Sequence, residues 1–147
     1  MIEFMRLAVE EAKKGLHNDE GGPFGAVIVK EGKVIATAHN EVIKTNDPTA
    51  HAEINAIRKA TQKLGNFDLS GCEIYATCMP CPMCLGALQW ANIDKIYYCA
   101  TSEDADKAGF RDLKFYESIE DNLIQIDAKE CSELFAMWMQ KEDRVEY

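Results

Sequence analysis

The sequence lacks long apolar runs and is comparatively poor in positive charge. No window of about 18 residues is continuously apolar, so a membrane-spanning helix is not expected. The chain carries 16 Lys and Arg against 25 Asp and Glu, which disfavours a nucleic-acid partner because phosphate contacts supply most non-specific affinity. The first fourteen residues include Glu3, Arg6 and Glu10, a composition wrong for a secretory signal. We expect a cytoplasmic protein whose partners are small molecules or other proteins.

The length and periodicity predict one layered α/β domain over residues 1–147. Helical spacing predicts a helix over 2–16, and another helix that starts with Asp47 as its cap and Pro48 as its first residue. A polar loop is expected at 101–107. The predicted strands are 24–29, 34–38, 73–77, 96–100 and 123–127. The remaining predicted helices are 81–90 and 132–140. Strands that alternate with helices in this way are typical of βαβ units.

Cys81 and Cys84 are the strongest candidate metal ligands. The chain has six cysteines, and without a secretory signal we interpret them as thiols or metal ligands rather than disulfides. Positions i and i+3 share a helix face, so both sulfurs of Cys-Pro-Met-Cys can reach one point. Two convergent thiolates suit zinc. A thioredoxin-like redox pair and a structural zinc ribbon remain alternatives, although no second Cys-x-x-Cys pair is present.

His51 and Glu53 supply the other half of the candidate chemistry. The chain has three histidines, and His51 is the one next to a carboxylate at a predicted helix start. A His-Cys-Cys set leaves the fourth tetrahedral position open, as in catalytic zinc sites. Because two thiolates cancel the charge of the ion, bound water needs a base, and Glu53 is placed to take its proton and deliver it to a leaving group.

His-x-Glu followed by Pro-Cys-x-x-Cys is typical of zinc-dependent nucleobase deaminases. The chain resembles the cytidine-deaminase-like superfamily, and more closely its bacterial guanine deaminases. The resemblance is carried by GGPFGAVIV at 21–29, NDPTAHAE at 46–53 and MPCPMCLGA at 79–87, and by the more selective DADKAGFRD at 104–112 and the terminal Glu146-Tyr147. That family commonly has Asp where this chain has Arg111.

The resemblance implies a three-layer α/β/α sandwich around a five-stranded mixed sheet. It also implies a homodimer in which a C-terminal segment, about 131–147, is exchanged between subunits. One zinc ion per subunit would be held by His51, Cys81 and Cys84, with Glu53 and Asp112 as the catalytic carboxylates. Substrate contacts would come from Phe24, Asn40, Ala52, Phe110 and Tyr147, the last from the partner subunit.

Each of these assignments has a simpler structural alternative. Asn40 also suits a turn after a strand, Phe24 suits core packing, and Asp112 suits a cap before Leu113. Tyr147 also suits a solvated chain end.

The predicted reaction is hydrolysis of guanine to xanthine and ammonia. From 131 to 147 the acidic side chains outnumber the basic ones, which makes the last helix a poor phosphate clamp. A second carboxylate, Asp112, suits the N–H and amino donors of guanine. The alternatives are deamination of tRNA adenosine, guanosine, cytosine or a related amino-heterocycle, and a non-enzymatic zinc module whose metal is closed by a fourth protein ligand.

Overall fold

A computed structural model describes residues 1–117, 123–126 and 129–147 of the chain. These residues fall into two compact units, Met1–Tyr116 and Glu117–Tyr147. The predicted metal and acid–base residues all belong to the first unit.

The first unit alternates helices and strands along most of its length. Its helices are α1 (Ile2–His17), α2 (Val42–Thr45), α3 (Ala52–Leu64), α4 (Pro82–Trp90) and α5 (Ser102–Lys107), followed by a 3₁₀ helix (Asp112–Tyr116). Its strands are β1 (Gly25–Lys30), β2 (Lys33–His39), β3 (Cys72–Cys78) and β4 (Lys95–Ala100). The predicted strands over 24–29 and 34–38 are therefore present as β1 and β2.

The strands form one mixed sheet in the order β2-β1-β3-β4. β1 pairs antiparallel with both β2 and β3, whereas β3 and β4 are parallel. A parallel pair needs a crossover, and α4 supplies it. The start of α4 therefore lies just beyond the carboxyl end of β3.

Helices pack on both faces of the central strand β1. Ala26 and Ile28 point into a core shared with α3 and α4, while Val27 and Val29 point into a smaller core under α1. Alternation along a strand buried on both faces explains why this run is continuously apolar. At Gly25 a Cβ would lie 2.0 Å from the carbonyl oxygen of Ala8, so glycine lets α1 approach the sheet closely.

Two predictions about local structure were wrong. Asp47 does not cap α3; its Oδ1 accepts hydrogen bonds from the backbone N–H and hydroxyl of Thr49, at 2.8 and 2.6 Å. That contact closes a local turn, and α3 begins at Ala52, four residues after the predicted start, with His51 as its N-cap. The segment 101–107 contains α5 instead of a loop, because Thr101 and Asp104 form a reciprocal capping box that starts a helix in a polar sequence.

The described residues contain four strands, so the prediction of a five-stranded sheet is corrected. The fifth was expected at 123–127. Residues 123–126 form no strand, and Asp127 lies outside the described residues. An apolar β-branched run becomes a strand only where neighbours cover it, and here Leu123, Ile124 and Ile126 are exposed.

The described residues of the second unit include the helix α6 (Lys129–Gln140), which starts three residues before the predicted helix over 132–140. Its apolar side chains, among them Phe135 and Met139, are exposed. In the described part of the chain, the helices are too short or too polar to cross a bilayer.

Candidate active site

Three predicted ligands meet at the starts of two helices. His51 caps α3 and Cys81 caps α4, both with extended backbone, and Pro82 occupies the first turn of α4. Cys84 follows one turn into that helix and is fully buried. Nδ1 of His51 lies 3.6 Å from Sγ of Cys81 and 3.6 Å from Sγ of Cys84.

This spacing fits a tetrahedral zinc ion. With Zn–S near 2.3 Å and Zn–N near 2.05 Å, the edge between a sulfur and a nitrogen of a regular tetrahedron is about 3.6 Å. The three ligand atoms all lie within 4.8 Å of one another. The donor set, one imidazole and two thiols, is also one that zinc prefers. The arrangement therefore fits the zinc ion that the sequence predicts.

The ionisable groups of this cluster are strongly coupled. The neighbouring Cys84 side chain lowers the pKa of Cys81 to about 4, and the His51 ring acts in the same direction. The hydrogen bond with Cys81 raises the pKa of His51, and the Cys81 side chain together with burial raises the pKa of Cys84. Metal ligation requires a neutral imidazole and two thiolates, so it displaces the protons that these shifts favour on His51 and Cys84.

Glu53 is a buried carboxyl next to the ligands. Its side chain lies in the first turn of α3, and its Oε2 accepts a 3.5 Å hydrogen bond from the Cys84 thiol. Burial raises the pKa of Glu53. A carboxyl with a raised pKa is suited to take up a proton and release it again within one reaction.

A cavity of about 400 Å³ opens over this cluster. Its lining includes His51, Glu53 and Cys81, together with Asp112 at the start of the 3₁₀ helix. The hydroxyl of Tyr116 donates a 2.6 Å hydrogen bond to the carbonyl of Pro80, which ties that helix to the loop that carries the Cys81 ligand. A volume of this order is typical of a pocket for a small molecule.

Comparison with known proteins identifies the family. The family described as the cytidine and deoxycytidylate deaminase zinc-binding region matches residues 1–100. This chain belongs to it. The assignment confirms the resemblance seen in the sequence motifs.

Individual relatives of this deaminase have names that specify a substrate. Guanine deaminase of Bacillus subtilis is 50% identical over 117 residues, which cover 80% of this chain and 75% of the relative. The X-ray structure of guanine deaminase from Bacillus subtilis superposes with a TM-score of 0.93 at 43% identity, covering 99% of this chain and 97% of that one. A tRNA-specific adenosine deaminase of Aquifex aeolicus is 46% identical over 97 residues, covering 66% of this chain and 64% of the relative.

The predicted substrate residues of the deaminase divide into three groups. Phe24, Asn40 and Phe110 line the cavity, and the two phenyl rings meet edge to face with centroids 4.8 Å apart. The side chain of Ala52 is buried in the hydrophobic core, so only its backbone is left to face a ligand. Tyr147 belongs to the second unit and is exposed.

Asn40 is held in one orientation. Its backbone N–H donates to the carbonyl of Phe24 at 3.0 Å, and its Oδ1 accepts the backbone N–H of Val42 at 3.0 Å. With Oδ1 occupied, the amide NH₂ is the group that Asn40 can offer to a ligand. The turn interpretation and the ligand interpretation of this residue therefore both describe part of its geometry.

Sequence reasoning missed several cavity residues. Val42 and Ile43 belong to the four-residue helix α2, too short to produce a periodic pattern. Arg111 and Phe115 also line the cavity, and the Arg111 guanidinium lies 5.9 Å from the Phe115 ring centroid. Arg111 had attracted attention only as a departure from the family pattern.

Proposed function

We propose that this deaminase hydrolyses guanine to xanthine and ammonia. The observation that carries the proposal is the single cavity that joins Glu53, Asp112 and the His51–Cys81 ligand pair. In sequence, the Bacillus subtilis guanine deaminase is 50% identical over 80% of this chain, whereas the Aquifex aeolicus tRNA-specific relative is 46% identical over 66%. The acidic net charge of −9 is a further argument for a small uncharged substrate.

His51, Cys81 and Cys84 would hold one zinc ion per subunit. When bound there, zinc acts as a Lewis acid that makes a water molecule more acidic and more reactive. The protein's own contribution is a fixed ligand geometry, because His51 and Cys81 lie at the N-termini of two helices and Cys84 lies one turn into the second helix.

Glu53 is the proton carrier of the proposed reaction. Hydrolysis adds a hydroxyl group at C2 of guanine, breaks the C2–N bond and releases ammonia. Glu53 takes the proton that the attacking water loses and returns it to the departing amino nitrogen. The buried position of Glu53 supports this role, because burial raises the pKa of its carboxyl towards the working pH, so that the side chain can both take up a proton and release it.

Asp112 and Asn40 would recognise opposite hydrogen-bonding properties of the base. The Asp112 carboxylate accepts from the ring N–H and amino donors of guanine and assists proton transfer, while the Asn40 amide donates to a ring acceptor. The rings of Phe24 and Phe110 contact the faces and edges of the purine, and the backbone of Ala52 contributes a polar contact.

The C-terminal segment, about 131–147, would be exchanged in a homodimer and bring Tyr147 to the partner's cavity. The exposed apolar side chains of α6 support this proposal, because such a helix gains stability by packing against another surface. A cytoplasmic location in purine metabolism agrees with the free thiols of all six cysteines.

The test is a substrate panel. Purified zinc-loaded protein is incubated with guanine, guanosine, cytosine, adenine or a tRNA anticodon stem-loop, and released ammonia is measured, with Glu53→Gln as the background control. We expect guanine to be the preferred substrate by kcat/KM. Preference for the stem-loop or for another base would overturn the guanine assignment and leave the deaminase family intact.

A further inference from the structure

The His39 side chain lies in a cluster of carboxylates at the end of β2, away from the metal ligands. Its Nδ1 pairs with Oε2 of Glu11 on α1 at 3.0 Å. Its Nε2 pairs with Oε2 of Glu20, in the loop before β1, and lies 3.8 Å from Oε1 of Glu41. One ring therefore joins a helix, a loop and the end of a strand.

Helix α1 is shaped to receive this ring. A Cβ at Gly15 would lie 2.6 Å from Cδ2 of His39, so the absence of a side chain there makes the space that the ring fills. Glu11 lies one turn earlier on the same helix face. The backbone N–H of Glu20 also donates to the carbonyl of Gly15 at 2.9 Å, which places the second carboxylate beside the ring.

The positive and negative charges of this cluster balance when the His39 ring is protonated. Lys14 of α1 contacts Glu11 at 2.8 Å and Lys44 of α2 contacts Glu20 at 3.4 Å. With Glu41, three carboxylates then face two ammonium groups and the imidazolium, so no metal cation is needed for neutrality. Burial opposes the charge, but the hydrogen bonds to Glu11 and Glu20 raise the pKa of His39.

The same network continues into the cavity wall. The carbonyl of Glu20 accepts the backbone N–H groups of Ile43 and Lys44, both at 3.0 Å. Asn40, the residue after His39, is bonded in turn to Phe24 and Val42. These hydrogen bonds thus join the loop before β1 both to Asn40 itself and to the residues that follow it.

We propose that His39 is a positioning residue: its ring joins α1 to the loop before β1 and thereby holds Asn40 in the orientation that binds the base. The inference rests on the proposed function, because it assigns His39 a part in the affinity for that substrate. His39 touches neither the metal ligands nor the cavity, so it acts on binding rather than on the chemical step.

The number of N–H groups on the ring determines how many carboxylates it can hold. A protonated ring donates to Glu11 and Glu20 together, whereas a neutral ring donates to only one of them. Loss of the proton also leaves three carboxylates facing two lysines. Raising the pH through the pKa of His39 therefore loosens the loop from α1 and weakens substrate binding, while the metal ligands are not part of the network.

The test compares His39→Gln with His17→Gln, which alters an exposed histidine at the end of α1. In zinc-loaded enzyme we expect His39→Gln to raise the KM for guanine on the order of tenfold, with kcat within about twofold, and His17→Gln to change neither. Wild-type KM should rise between neutral and mildly alkaline pH, and His39→Gln should lose that rise. An unchanged KM, or a fall in kcat alone, would overturn the proposal.

A second variant guards against simple misfolding. Glu20→Gln still offers the His39 Nε2 a hydrogen-bond acceptor, but it removes the negative charge of the Glu20 side chain. The pKa of His39, followed through the ring ¹⁵N resonances, should therefore fall. The alkaline rise in KM should then begin at a lower pH. A structural role alone would leave that profile in place, and an unshifted profile contradicts the proposal.

Calorimetric binding of guanine in a Glu53→Gln background separates the two hypotheses. If the Glu53→Gln protein binds no guanine, the proposed function fails, and the His39 comparison is repeated with the base that the substrate panel identifies. If it binds guanine and His39→Gln does not weaken that binding, the His39 proposal alone fails.

Discussion

The Cys84 thiol donates a hydrogen bond to the Glu53 carboxyl, with 3.5 Å between Sγ and Oε2. The contact joins a proposed metal ligand to the proposed proton carrier across 31 positions of sequence. When Cys84 ligates a metal it gives up this proton, and Glu53 is left with a free acceptor atom. Metal binding by Cys84 and the availability of Glu53 as a proton acceptor therefore depend on the same contact.

Replacing Glu53 by Gln should separate metal binding from turnover. The amide keeps the shape of the side chain but cannot carry a proton, so kcat should fall by a factor on the order of 100 or more while zinc content stays unchanged. Steady-state ammonia release and elemental analysis provide the two measurements. Glu10→Gln, on the exposed face of α1, is the control and should behave like wild type. Full activity in Glu53→Gln with zinc retained would remove the proton-carrier role.

Cys84→Ala should abolish stable zinc binding and activity together. Two remaining ligands hold zinc far less firmly than three, because each ligand removed opens another position to solvent. Zinc per chain is measured after dialysis against a weak chelator. Cys99→Ser changes an exposed cysteine on β4 and should retain both zinc and turnover. A dialysed Cys84→Ala protein with wild-type zinc content would contradict the ligand assignment.

Gly21→Ala should weaken substrate binding without changing the zinc content of the protein. A Cβ at this position would lie 2.1 Å from Oδ1 and 2.7 Å from the carbonyl oxygen of Asn40, so both the amide and the backbone of Asn40 must shift from their present positions. We expect the KM for guanine to rise on the order of tenfold. The control is Gly86→Ala, where an added Cβ meets nothing within 4 Å. Equal KM values for the two variants would show that the orientation of Asn40 is unimportant.

The His39 cluster should contribute stability over a limited pH range. The pKa of His39 is raised above 6.5, so its contribution is complete below that pH and is lost as the pH rises through the raised value. The pKa of Glu20 is lowered from 4.5 by its bond to His39; its contribution is present above 4.5 and lost on acidification. Denaturant unfolding of wild type and His39→Gln should therefore differ most between about pH 4.5 and 6.5. A difference that grows from pH 6.5 to 9 would reverse the sign and refute the protonated cluster.

The metal cluster could be anticipated from the sequence because its spacing is local. Cys81 and Cys84 lie one helical turn apart, and His51 is a rare residue at the mouth of another helix, so the structure brings together groups that the pattern had already singled out. The start of α3 was mispredicted because Asp47 has a nearer partner in Thr49, and a capping residue bonds to whichever N–H is closest.

Other features depend on contacts that a single sequence does not contain. Nothing in the sequence around Ile43 indicates a cavity wall, because its backbone N–H is held by the carbonyl of Glu20, which lies more than twenty residues away in sequence. The run at 123–126 has the composition of a strand but forms none, since strand formation requires a neighbour as well as β-branched residues. Long-range pairing, rather than local preference, decided both cases.

The bond from Tyr116 to Pro80 has a consequence for redesign. Between Thr101, whose carbonyl accepts a 3.4 Å hydrogen bond from the Cys78 thiol, and the Tyr116 hydroxyl, the chain carries Phe110, Arg111, Asp112 and Phe115, but none of the proposed metal ligands. Both ends of this stretch are therefore anchored to the framework. It can be exchanged as a unit, which changes four cavity-lining side chains, the Asp112 carboxylate among them, while His51, Glu53, Cys81 and Cys84 stay in place.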